Sequence, residues 1–183
     1  MEVSLVVGLV GSALAIFIPT FFRELETSKV AEATQMMEHI ASRVAAYYGE
    51  EHETARGPAR RCLPLATGFA PQAPSADPVE VDFDALPQAS VTEIREGEGN
   101  VVSGEESWAT LELGVQTIRY QYELEPLREG CGVSVGPDEA LFVVRARGDL
   151  DGDGDLSHFE QAYRVTGEDL TPVGVLHVRA RIE

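Results

Sequence analysis

The chain has 183 residues, with 14 Lys and Arg against 31 Asp and Glu, and a formal charge of −17. That balance argues against a nucleic-acid binder, because affinity for a phosphate backbone comes mainly from clustered Lys and Arg that release counterions. The length is that of one domain able to bury a real core, but the charge is uneven. Residues 1–22 contain a single ionisable side chain, Glu2, and every basic residue and all other acidic ones lie after it.

Val3 to Phe22 reads VSLVVGLVGSALAIFIPTFF. At about 1.5 Å per residue, some 20 uncharged residues match the roughly 30 Å hydrocarbon core of a bilayer and predict a membrane-spanning helix. A cleavable signal peptide fits poorly, since a basic leader region and a small-residue cleavage site are missing. Pro19 removes a backbone donor inside the run and predicts a kink, while Gly8, Gly11, Ser12, Ala13 and Ala15 make a face on which another helix can approach. Glu2, at the edge of the span, calls for a partner, and an amino terminus would suit it.

Beyond the span, Val30, Ala33, Met37, Ile40, Val44 and Tyr47 recur in steps of three and four, one face of a helix that Gly49 would stop. With no Gly or Pro between Thr20 and Tyr48, a single helix of about 45 residues is predicted. Its apolar half is 1–22 and its amphipathic half 23–50. Residues 51–117 form an irregular region whose first part is rich in proline (Pro58, Pro64, Pro71, Pro74, Pro78 and Pro87). Trp108 in this stretch reads as a core or sheet-edge anchor. Over 118–183 the pattern turns to strands at Ile118–Leu124, Leu141–Arg147, Phe159–Val165 and Val175–Ile182. The predicted fold class is therefore α+β, a long N-terminal helix packed on a four-stranded antiparallel sheet.

The most specific chemistry is DLDGDGDLSHFE, Asp149 to Glu160. Asp149, Asp151, Asp153, Gly154 and Glu160 satisfy the D-x-[DN]-x-[DN]-G-x5-E calcium pattern. Alternate aspartates in a tight loop bring carboxylate oxygens to a hard cation that takes six to eight of them. Gly154 permits the sharp turn, Asp155 lends its carbonyl, Ser157 acts directly or through water, and Glu160 closes the shell. The flanks read as strands, so the expected Ca2+ site is structural, with no helix pair to open.

Taken together, Glu2, Gly11, Pro19 and the uninterrupted helix after them resemble the N-terminal region of a type IV pilin or a type II secretion pseudopilin. The glutamate, glycine and proline keep the family's mutual spacing, with the start three residues short of a mature pilin. An internally assigned start codon would account for that. The resemblance implies a pilin-like fold, processing and methylation of the natural N-terminus, and a role for Glu2 in pairing with the ammonium of a neighbouring subunit. It also implies calcium in aspartate-rich loops. The expected location is the inner membrane before assembly and then an extracellular pilus or cell surface, in a Gram-negative bacterium. Expected partners are identical subunits or other pilins in a polymer, and the pilus assembly machinery.

In that topology the two cysteines, Cys62 and Cys131, are compatible with a disulfide closing roughly 70 residues. The four histidines, His39, His52, His158 and His177, are scattered, and no nucleophile elbow, phosphate loop or H-E-x-x-H is present, so no enzyme is expected. The function expected from sequence is a structural subunit of a pilus or pilus-like filament. The alternatives are a monomeric, membrane-anchored calcium-binding domain and a secretion pseudopilin.

Overall fold

The computed structural model describes residues 30–54, 57–86, 108–128, 130–133, 135–136, 138–167 and 169–179. Helix α1 occupies 30–49 and ends at Gly49. Eight strands follow: β1 (Glu51–Thr54), β2 (Gly57–Arg61), β3 (Val79–Asp82), β4 (Val115–Ile118), β5 (Gln121–Pro126), β6 (Phe142–Gly148), β7 (Ser157–Thr166) and β8 (Asp169–Arg179). A 3-10 turn, Trp108–Leu111, precedes β4.

These strands make three antiparallel sheets, β1-β2, β3-β4 and β5-β6-β7-β8. The expected architecture, one long N-terminal helix on a single four-stranded sheet, is thereby corrected. The described helix is 20 residues long, and four further strands stand outside the larger sheet. No helix among the described residues is long and apolar enough to cross a membrane, which overturns the expected placement in an inner membrane. Val3–Phe22, Glu2, Gly11 and Pro19 lie outside the described residues.

The apolar stripe of α1 does what its spacing requires. Ala33, Met36, Met37, Ile40, Ala41 and Val44 are buried in one cluster with Tyr122, Leu124, Phe142, Val144, Phe159 and Tyr163 of the larger sheet. Alternation in β7 puts Ser157, Phe159, Gln161, Tyr163 and Val165 on the buried face and His158, Glu160, Ala162 and Arg164 on the other. Each large apolar side chain fully buried here stabilises the fold by about 1.5–3 kcal/mol. Polar contacts set the helix's position. Glu32 accepts from the Arg119 backbone N–H at 2.6 Å and pairs with its guanidinium at 2.5 Å. Arg43 Nε donates to the Leu111 carbonyl at 2.6 Å, and Tyr48 Oη to that of Val133 at 2.6 Å.

The stretch expected to be a single strand, Ile118–Leu124, is instead a corner: Ile118 ends β4, Arg119 and Tyr120 bend, and Gln121 starts β5. Regular structure also enters the stretch expected to be irregular, as β1, β2, β3, the 3-10 turn and most of β4. The proline-rich segment after β2 covers the outer edge of β5. Thr67 N–H donates to the Leu124 carbonyl at 3.1 Å, and Ala70 and Tyr122 exchange backbone hydrogen bonds of 2.9 and 2.7 Å. An open strand edge is a template for unwanted pairing, and this segment closes it.

Cys62 and Cys131 form a disulfide across 69 residues. It links the end of β2 to the β5–β6 connection, where Gly132 N–H also donates to the Arg61 carbonyl at 2.8 Å. Disulfides persist in oxidising compartments, outside the cell or in the periplasm. Trp108 is buried and meets the Phe83 ring edge-on at 5.1 Å, a core anchor.

Candidate metal centre

The acidic loop is the connection between β6 and β7, and its base is rigid. Gly148 and Ser157 are opposite each other in the ladder, and buried Ser157 donates its hydroxyl to the Gly148 carbonyl at 3.0 Å. Gly148 has to be glycine, since a Cβ there would lie 2.6 Å from Cδ1 of the buried Tyr120 ring. Leu150 is buried and fixes the start of the loop in the core, so the residues on either side turn outward.

Asp149, Asp151 and Asp153 each place a carboxylate oxygen so that the three lie within 4.8 Å of one another. Asp149 is half-buried, and its two oxygens accept from the backbone N–H groups of Gly152 at 2.8 Å and Gly154 at 3.2 Å. Asp151 accepts from the Asp153 N–H at 3.3 Å, and Asp153 from the Asp155 N–H at 2.7 Å. Gly152 and Gly154 both have positive φ, 80° and 94°, backbone that L side chains rarely adopt. These turns curl the chain around the carboxylates and bring three of the six to eight oxygens that a Ca2+ ion takes close together.

Of the six sequence-predicted ligands, the structure brings these three together. Asp155 is exposed, with its N–H directed to Asp153. The Ser157 hydroxyl is turned to the Gly148 carbonyl at the loop's base. Glu160 is held elsewhere: three residues into β7, it sits directly opposite Arg145 of β6 and accepts from its Nε at 2.6 Å. Arg145 also binds Glu125 at 2.5 Å and Glu123 at 3.1 Å, so one guanidinium serves three carboxylates. Burial works against the Arg145 charge, but the hydrogen bonds to Glu160, Glu125 and Glu123 together outweigh it and raise its pKa above the ordinary arginine value.

Sequence reasoning missed a second feature of the same sheet face. Arg147 on β6, His158 on β7 and Arg179 on β8 stand in register on neighbouring strands. Burial, then the Arg147 and Arg179 charges, lower the His158 pKa, which leaves the imidazole neutral at pH 7. The signal was in the sequence as the period-two pattern VRAR at Val144–Arg147, which sends Arg145 and Arg147 to one face, and as Arg179 in the strand-like run after Val175. The remaining histidines are not in this row. His39 is exposed on α1, His177 is exposed on β8, and His52 stacks on Tyr47 at 4.0 Å.

No protein-family model matches the chain, nor does any curated protein or solved structure.

Proposed function

We propose that the chain is a structural subunit of a pilus-like filament, with a globular part outside the cytoplasm stabilised by Ca2+ in the Asp149–Asp155 loop. The observation that carries the calcium reading is the convergence of the Asp149, Asp151 and Asp153 carboxylates within 4.8 Å. Three negative groups held that closely repel one another, and a divalent cation turns that repulsion into attraction. In this reading Asp155 supplies a carbonyl and solvent fills the remaining positions, while Glu160 stays with Arg145. The strands on both sides make the ion a staple of the β6–β7 connection and not a sensor.

The filament reading rests on the sequence spacing of Glu2, Gly11 and Pro19, followed by the helix whose apolar stripe packs on the sheet. The disulfide supports an oxidising location for the globular part. The partners are further copies of the chain or related subunits, together with assembly machinery, and Glu2 aligns the incoming subunit. Shearing and electron microscopy test this in cells expressing the chain or its Glu2→Ala variant. Filaments that contain the chain and are lost in the variant are expected; undiminished filaments in the variant remove the role given to Glu2.

A further inference from the structure

The outer face of the larger sheet carries a cleft of about 440 Å³ lined by Arg145, Arg147, His158, Glu160, His177 and Arg179. Its charges sort into two rows. In one, Glu123, Arg145, Glu160 and His177 lie across four strands, and the single Arg145 charge is outnumbered by the carboxylates of Glu123, Glu125 and Glu160. In the other, Arg147, His158 and Arg179 lie across three strands, and no carboxylate pairs with either arginine among the described residues. Two arginines about 10 Å apart without a carboxylate between them repel one another, and here they occur on a chain of net charge −17 that has acidic residues to spare.

Arg147 is also prepared in shape. Its guanidinium lies over the Phe69 ring at 3.6 Å, and its Nε is shielded from solvent with no hydrogen-bond partner. Stacking on an aromatic face holds the planar fork in one orientation, leaving its edge to receive an oxyanion bidentately. Arg179 stands two strand spacings away, about 10 Å at the backbone, so two arginine side chains can close on one group above His158 from opposite sides.

We propose that this cleft binds an oxyanion of the phosphate class, held between Arg147 and Arg179 with the His158 ring beneath it. The site uses none of the three converging aspartates and no residue assigned to filament assembly. Calorimetric titration of the full chain with inorganic phosphate tests it, in non-ionic detergent with EDTA present to remove any metal-bound phosphate. Saturable binding with a Kd of about 1 mM is expected, weakened at least tenfold by Arg179→Gln and by Arg147→Gln. Arg164→Gln, on the same face but beside Thr171, is expected to bind as the unaltered chain does. Arg179 is exposed, so its variant keeps the test valid if Arg147→Gln fails to fold. Absence of saturable heat up to about 20 mM phosphate, or equal binding by Arg179→Gln and the unaltered chain, overturns the proposal.

Discussion

Arg145 of β6 and Glu160 of β7 are cross-strand partners, with Nε and Oε2 2.6 Å apart, and this pairing commits the twelfth residue of a calcium-type pattern to the sheet. The consequence is a division of labour among the acidic residues. Asp149→Asn and Asp151→Asn are expected to weaken calcium binding by at least about tenfold each, because each removes one of the three carboxylate charges proposed to hold the ion. Glu160→Gln is expected to leave calcium affinity within about twofold and to lower stability by about 1 kcal/mol, the loss of one half-exposed ion pair from a network. Paired calcium titration and urea denaturation of the three variants separate these effects.

Gly148 joins the loop to the core. Gly148→Ala would drive a Cβ into the Tyr120 ring, which is fully buried against Phe159 and cannot step aside. Overpacking of this kind costs about 1–3 kcal/mol. Chemical denaturation should show that loss, with calcium restoring part of it by holding the loop.

High pH should unfold the protein through its tyrosines. Burial raises the pKa of Tyr163 to about 12 and those of Tyr120 and Tyr122 further, with the nearby carboxylates of Glu38 for Tyr163 and Glu32 for the other two adding to it. The unfolded chain gives up these protons near pH 10, while the folded chain keeps them. The stability they contribute is complete below pH 10 and is lost as pH rises through the folded-state values, at up to about 1.4 kcal/mol per pH unit for each tyrosine. Tyrosinate absorbance and circular dichroism followed together above pH 10 should change in one cooperative step. Smooth titration of the tyrosines with the fold intact would contradict their burial.

The disulfide should matter more than any single core contact. Closing 69 residues constrains the unfolded chain by about 4 kcal/mol in the chain-entropy model. Cys62→Ser with Cys131→Ser is therefore expected to lower the unfolding free energy by a few kcal/mol in denaturant titration.

What could be read from sequence was what depends on local period. Met37, Ile40 and Val44 marked the buried face of α1, β-rich composition marked β6 and most of β7, and alternation marked the last five residues of β8, whose first six, from Asp169, were not expected as strand. The corner at Arg119–Tyr120 was hidden because IRYQYEL alternates as a strand does. What bends it is tertiary: Glu32, 87 residues away in sequence, captures both the Arg119 backbone N–H and its side chain. Strand β2 was hidden for a different reason: it is exposed throughout and shows no alternation to detect. At the acidic loop, spacing identified the three aspartates that converge. It could not identify the cross-strand register that gives Glu160 to Arg145, because register is a property of two strands and not of one.

Whether Asp149, Asp151 and Asp153 hold a structural calcium ion is read out by the melting temperature of the full chain against calcium. For a Kd of about 0.1 mM, 10 mM calcium stabilises the folded state by about 2.7 kcal/mol, a rise of roughly 5–10 °C in a chain of this size. That rise is expected for the unaltered chain, and a rise of about half that size or less, from a Kd weakened at least tenfold, in Asp149→Asn. An unchanged melting temperature at 10 mM calcium, or an equal rise in Asp149→Asn, would contradict the calcium site.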